Sequence, residues 1–177
     1  WEGDLILGLG SSAIGALVER MTRFTLLLHL PPMAGHRAAA REKNGPALAG
    51  HGAEAVRNAI VHAIATLPGQ LRQSLTWDQG AEMSQHARLR MDSGLSIYFC
   101  DPHSPWQRGT NENTNGLLRQ YFPKGTDLSG HGPTELTAVA FTLNTRPRKT
   151  LGWRTPAEAF DQLLGHAQSG GRVATTA

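Results

Sequence analysis

The order of its apolar segments is the feature that most restricts how this chain can fold. Five apolar runs have the length of β-strands; they are Leu5–Leu7, Ala13–Val18, Phe24–Leu30, Ser74–Trp77 and Leu95–Cys100. Short polar breaks join the first three runs, which predicts antiparallel neighbours, whereas helical patterns separate the later ones. This order of strands and helices predicts an α/β domain with a mixed sheet.

Amphipathic spacing and end signals predict the helices that alternate with these strands. They are Ala53–Leu67, Ala81–Met91, the stretch from Ser104 to Asp127, Gly132–Pro147 and Thr155–Leu164. The last begins with a capping box, in which Thr155 precedes Glu158 by three residues. The segment Met33–Gly52 has no period and predicts a mobile surface loop, and residues 165–177 predict a disordered tail. We therefore expect one folded domain over residues 1–164.

Composition narrows the classes of protein to which the chain can belong. Its 177 residues suit one domain, and 17 Lys and Arg against 14 Asp and Glu permit a polyanionic partner without requiring one. A single cysteine, Cys100, excludes an internal disulfide and a Cys-rich zinc site, and it fits a reducing cytoplasm. No apolar run could span a bilayer, and no signal peptide is visible. Because the chain begins at Trp1, we expect it to be a fragment.

Two aspartates lie where predicted strands begin or end. Asp4 stands beside the first strand, and Asp78 directly follows the run Ser74–Trp77. A charge next to a buried strand is costly unless it is paired. Taken singly, Asp4 fits an ordinary strand-end residue and Asp78 fits a turn or a helix N-cap. Their chemistry becomes specific only if a third carboxylate joins them.

Glu112 is the third acidic candidate, in the stretch "GTNENTNGLLRQYF". At about 100° per residue, Gly116 and Arg119 share its helix face, Asn115 lies at the edge, and the apolar residues fall opposite. A solvated helix face would explain this pattern equally. However, Asn, Gly and Thr are poor helix formers, and a sequence that gives up helix propensity often does so at a functional site.

Carboxylates from three separate elements could meet at one edge of the sheet. Carboxylate oxygens suit hard cations such as Mg²⁺ or Mn²⁺. Two such ions would activate an attacking oxygen and stabilise a leaving oxygen in phosphodiester chemistry. Spacing alone supports this hypothesis only weakly.

Four motifs give the chain a specific family resemblance. The stretches "WEGD", "LTWDQGAEM", "YFCDPHSPWQRGTNENTNGLLRQYFPKGTDLS" and "LNTRPRKTLGWRTPAEAF" resemble the catalytic core of IS30-family insertion-sequence transposases. The resemblance runs from Trp1 to about Leu164, and the 33 residues between Asp78 and Glu112 match the family spacing. It implies a DDE transposase related to retroviral integrases, with a ribonuclease-H-like α/β fold. That fold would have a mixed sheet of about five strands and helices on both faces.

The resemblance also implies a mechanism. Asp4, Asp78 and Glu112 would be the catalytic residues and the ligands of two Mg²⁺ or Mn²⁺ ions. Water would first cleave the ends of the transposon, and the 3′-OH would then attack target DNA without a covalent protein intermediate. The chain reads Asp78-Gln79-Gly80 where many members have Asn in the second place; the metal ligand is kept. The family's N-terminal helix-turn-helix region has no counterpart in this chain, and we expect a homodimer or a higher multimer.

Basic and polar residues near these motifs are candidates for DNA contact. They are Arg108, Asn115, Arg119, Arg146, Arg148 and Lys149. Contact of Arg119 with a phosphate is about as plausible as an ordinary surface role. The cluster after the fourth helix would bind phosphate through charge, or complement the helix C-terminus. Trp106 and Trp153 could stack on bases, although single aromatic residues are more often core or interface residues.

Two further functions stay open at this point. The chain could be a decayed or truncated transposase module that binds DNA and multimerises without cutting. It could also be a plain ribonuclease-H-like nuclease, although nothing in such an enzyme calls for the Asn-rich motif. In each case we expect a protein of the bacterial cytoplasm, associated with the nucleoid and not with a membrane.

Overall fold

The computed structural model describes residues 1–31, 52–102 and 104–170. The predicted surface loop from Met33 therefore lies outside the described residues, apart from Gly52, as do His103 and residues 171–177. Within the described ranges, no helix is long and apolar enough to cross a bilayer.

Five strands form one mixed sheet. They are β1 (Glu2–Leu7), β2 (Ala13–Val18), β3 (Thr25–His29), β4 (Ser74–Trp77) and β5 (Ser96–Phe99). Their order across the sheet is β3-β2-β1-β4-β5. Strands β1, β2 and β3 pair antiparallel through short connections, whereas β4 pairs parallel with both β1 and β5. Parallel pairs need long crossover connections, and the helices between these strands supply them.

Within the described residues, five α-helices cover the sheet. They are α1 (Ala53–Ile64), α2 (His86–Ser93), α3 (Gly109–Leu118), α4 (Pro133–Asn144) and α5 (Pro156–Gly170). A 3-10 turn, Pro105–Arg108, leads directly into α3. The capping box of α5 is present, since Thr155 Oγ1 accepts the Glu158 N–H and Glu158 Oε2 accepts the Thr155 N–H.

Two separate cores lie on the two faces of the sheet. On one face, Leu17, Leu75 and Trp77 pack with the apolar sides of α1, α2 and α5. On the other, Ile6 and Ile14 pack with α3 and α4. Alternate residues of a strand point to opposite faces, so β1 contributes to both cores. The mixed sheet of about five strands with helices on both faces is therefore confirmed.

Several predicted boundaries differ from the structure. Strand β1 begins at Glu2, before its apolar run, and the predicted helix from Ala81 divides into a 3-10 turn and α2. The helix predicted around Glu112 ends at Leu118, in a turn that precedes Pro123. Helix α5 continues to Gly170, so residues 165–170 are helical where a disordered tail was predicted.

Candidate active site

The parallel pairing of β1 with β4 brings two aspartates to neighbouring positions. Glu2 of β1 lies opposite Thr76 of β4. Two residues further along each strand, side chains return to the same face, and these positions are Asp4 and Asp78. Asp78 follows directly after the end of β4. The register of the sheet therefore gathers two carboxylates that are distant in sequence.

Arg108 joins these two carboxylates. Its Nη1 lies 3.2 Å from Asp4 Oδ1, and its Nη2 lies 2.9 Å from Asp78 Oδ2. Nη1 also donates a hydrogen bond of 3.2 Å to the Gly3 carbonyl. Burial by itself would lower the pKa of Arg108, but the charges of Asp4 and Asp78 outweigh it and raise that pKa above its ordinary value. The guanidinium thus stays charged and pairs with both acids, whose combined charge it offsets by half.

Asn115 holds the other oxygen of Asp4. Its Nδ2 donates a hydrogen bond of 2.9 Å to Asp4 Oδ2, while the Leu5 N–H donates one of 2.9 Å to Asp4 Oδ1. The Asn115 Oδ1 atom is buried and has no hydrogen-bond partner among the described residues. An unsatisfied buried amide oxygen beside a carboxylate is a group to which a cation could bind.

Glu112 lies on the helix face that meets Asp4, without touching the other acids. Arg108 is four residues before it and Asn115 three residues after it, and both contact Asp4. Residues at these spacings share one face of a helix. The Glu112 side chain is exposed, and its carboxylate has no hydrogen bond or ion pair with the described residues. Across residues 1–31, 52–102 and 104–170, no three acidic, His or Cys side chains are gathered as a metal site.

A buried carboxylate that the sequence reasoning missed fixes the start of α3. The Glu2 side chain is 1% exposed; its Oε1 pairs with Arg20 Nε at 2.9 Å, and its Oε2 accepts the Asn111 N–H at 2.8 Å. The Asn111 side chain, fully buried, donates to the carbonyls of Glu2 and Ala16. These contacts attach α3 to β1 and β2. The only advance signal was a glutamate shortly before the first predicted strand.

The candidate DNA-contact residues fall into two groups. Arg108 and Asn115 contact the carboxylate cluster, the name used here for Asp4 and Asp78 with Glu112 on the adjoining helix face. Arg119 follows α3, and its Nη1 donates a hydrogen bond of 3.4 Å to the Leu7 carbonyl. Arg148 is half-buried after α4, while Arg146 and Lys149 beside it are exposed. Contact of any of them with DNA stays a prediction. The bridging role of Arg108 was missed, although its position one helical turn before Glu112 was a possible signal.

Comparison with known proteins adds the family. No protein-family model matches the chain. It is 51% identical over 167 residues to the transposase of insertion sequence IS1086 from Cupriavidus metallidurans, covering 94% of the chain and 44% of that protein. It is 45% identical over 162 residues to the Escherichia coli transposase InsI of IS30C, covering 92% of the chain and 38% of that protein. The chain thus spans less than half the length of these relatives.

A solved structure supports the fold. A chain of the simian T-cell lymphotropic virus intasome aligns with a TM-score of 0.59 at 17% identity, covering 90% of this chain and 52% of that one. At this identity the likeness concerns the fold, and it confirms the ribonuclease-H-like expectation. The high sequence identity over more than nine-tenths of its length shows that this chain matches part of the IS30-family insertion-sequence transposases.

Proposed function

We propose that this chain is the catalytic core of a DDE transposase, which cleaves DNA at the ends of a transposon and joins the 3′-OH to target DNA. The observation that carries the proposal is the convergence of Asp4 and Asp78 on adjacent parallel strands, with Glu112 on the helix face that contacts Asp4. The relatives named above are transposases, which supports the same reaction for this chain. The reaction would take place in the bacterial cytoplasm, where the DNA is.

The donor chemistry fits divalent metal ions. Asp4, Asp78 and Glu112 offer carboxylate oxygens, and Asn115 adds the unpaired amide oxygen beside Asp4. Hard cations such as Mg²⁺ and Mn²⁺ prefer these ligands. When bound, two such ions would activate the attacking oxygen and stabilise the leaving oxygen of the phosphodiester. We propose that the three acids hold these ions.

The chain's own residues prepare the site. The Leu5 N–H and Asn115 Nδ2 each engage one oxygen of Asp4 and so fix the direction of its carboxylate. The Gln79 N–H does the same for Asp78 Oδ1 at 2.9 Å. Arg108 offsets the repulsion between the two acids. Because the Glu112 carboxylate is free of these contacts, it can turn toward a bound ion with little loss of existing hydrogen bonds.

Substitution of the acids tests the proposal. Asp78→Asn and Glu112→Gln, made in a full-length protein, should each abolish Mn²⁺-dependent cleavage of DNA that carries the transposon ends. Asp161→Asn, which changes an exposed aspartate in α5, is the matched control and should cleave normally. Undiminished cleavage by either active-site variant would refute the proposed roles.

A second candidate function is a module that folds and multimerises without cutting. The ion pairs of Arg108 favour it, because they engage Asp4 and Asp78 with a cation that the protein itself supplies. Calorimetric titration with Mn²⁺ separates the two candidates. Binding that is lost in Asp78→Asn supports the transposase core, whereas no binding at millimolar Mn²⁺ supports the inactive module.

A further inference from the structure

A basic cavity lies beside α3, away from the carboxylate cluster. Its volume is about 400 Å³, and its walls come from the β2–β3 turn, from α3 and from the segment after α4. Thr110, Thr114 and Leu117 line it from one face of the helix. Glu112 is two residues from Thr114, and residues two apart do not share a helix face. Neither Asp4 nor Asp78 contributes to the lining.

The lining carries an excess of positive charge. Three guanidinium groups, those of Arg20, Arg23 and Arg148, face a single carboxylate, that of Glu2. Glu2 already has two partners, since it pairs with Arg20 and accepts the Asn111 N–H. Its charge is thereby largely satisfied within the protein. The remaining positive charge makes the cavity suitable for an anion.

The turn that carries two of these arginines is held in a defined conformation. Glu19 Oε2 accepts hydrogen bonds from the Met21 and Thr22 N–H groups at 3.1 and 2.7 Å. Arg23 has a φ of 63°, a left-handed conformation that costs free energy in a residue other than glycine. Its Nη1 donates a hydrogen bond to Thr110 Oγ1, which fastens the turn to α3.

Arg148 has unused hydrogen-bonding capacity on the opposite wall. Its Nη2 donates to the Leu143 carbonyl at 3.2 Å, but its Nε is buried without a partner among the described residues. Burial lowers the pKa of Arg148 below its ordinary value, and the positive charge of Arg146 is a second, smaller cause in the same direction. An anion in the cavity would offset both effects, because it would pair with the guanidinium.

An exposed aromatic residue completes the lining. The Trp106 side chain is 72% exposed, although it belongs to the turn that leads into α3. Large exposed aromatic residues beside cationic groups are typical of single-stranded nucleic-acid sites, where bases stack on rings and phosphates pair with cations. The cavity volume falls in the range of sites for ligands the size of a nucleotide.

We propose that this cavity binds one nucleotide of a single DNA strand, with its phosphate against Arg23 and Arg148 and its base stacked on Trp106. The inference rests on the proposed function, because the strand would belong to the DNA that the carboxylate cluster cleaves. It adds a second contact on the other flank of α3. Such a contact would hold a strand that has left the duplex near the transposon end.

The test measures binding of a fluorescently labelled oligothymidylate of six nucleotides by anisotropy, in EDTA. Trp106→Ala should weaken binding by about tenfold, because one base loses its stacking partner. Arg148→Gln should also weaken binding and lower the slope of affinity against salt by about one, as expected for one lost phosphate contact. Phe141→Ala is the matched control, since Phe141 is an aromatic residue of α4 that is 67% exposed and does not line the cavity.

Two results would overturn the proposal. One is an affinity of Trp106→Ala that is no weaker than that of Phe141→Ala. The other is equal affinity for an abasic strand of the same length, because it has phosphates but no base to stack. EDTA separates this test from cleavage. Cleavage with Mn²⁺ without the expected binding of the oligonucleotide would refute only the cavity proposal. Binding of the oligonucleotide without any cleavage would refute only the proposed function.

Discussion

Replacing Arg108 by methionine removes the cation that joins Asp4 to Asp78, while most of the side-chain volume is kept. In wild type the Arg108 side chain is 10% exposed, whereas the Asp4 and Asp78 side chains are 31% and 56% exposed. The pair with Asp78 is therefore close to a surface ion pair and contributes about 0.5 kcal/mol. The more buried pair with Asp4, together with the bond to Gly3, contributes roughly 1.5 kcal/mol.

The free energy of unfolding should therefore fall by about 2 kcal/mol in Arg108→Met. For a chain of this length, about 2–4 °C of melting temperature corresponds to each kcal/mol, so we expect a decrease of roughly 4–8 °C in EDTA. Mn²⁺ should then raise the melting temperature of the variant more than that of wild type. In the variant no guanidinium competes with the metal ion for the oxygens of Asp4 and Asp78.

Thermal unfolding followed by circular dichroism, in EDTA and in Mn²⁺, measures both effects. Arg88→Met is the matched control, because Arg88 is exposed on α2 and makes no ion pair with the described residues. Its melting temperature should match wild type within about 1 °C. Equal melting of Arg108→Met and wild type in EDTA would refute the stabilising role of Arg108. An equal gain from Mn²⁺ in both proteins would refute the competition.

Three further predictions concern stability. A Cβ on Gly3 would lie 2.2 Å from the ring of the fully buried Trp77, so Gly3→Ala should cost about 1–3 kcal/mol in urea unfolding. A Cβ on Gly116 in α3 would meet no atom within 4 Å, so Gly116→Ala should raise the free energy of unfolding by about 0.5–1 kcal/mol. A loss of stability comparable to that of Gly3→Ala would contradict the steric explanation. Hydrogen bonds from Thr155 lower the pKa of Glu158 below its ordinary value of 4.5. The stabilisation by Glu158 is therefore complete above pH 4.5 and is lost as the pH falls through the lower pKa of the folded state. Glu158→Gln should remove this acid dependence from melting curves; an unchanged dependence would argue against the capping box.

Much of the sheet could be predicted from local pattern. The bounds of β2 and β4 were predicted correctly, because β2 is an apolar run, β4 alternates polar and apolar residues, and each has a clear stop. The start of β1 was not, because Glu2, Gly3 and Asp4 do not look like strand residues. Glu2 is buried in the sheet only because Arg20 and Asn111 compensate its charge, and no local pattern reports such distant partners.

The site shows the same division. The family resemblance singled out Asp4, Asp78 and Glu112 as the three acids, and the structure brings the first two together. It does not bring Glu112 into contact with them. The end of α3 was also missed. The helix ends at Leu118, a few residues before Pro123, but Phe122 still packs in the core from the turn beyond the helix, so apolar spacing alone does not mark the end.

The sequence by itself predicted the order of the elements, the family resemblance and the three candidate acids, because these depend on local periodicity and motif. Only the tertiary structure decided that Arg108 lies between Asp4 and Asp78. From the sequence alone, Arg108 is an isolated arginine before a helix, and this pattern predicts a surface cation that is free to contact DNA. The parallel register of β1 with β4 and the attachment of α3 through Glu2 instead place it between two carboxylates. There, the attraction of the two charges outweighs the cost of burying its own.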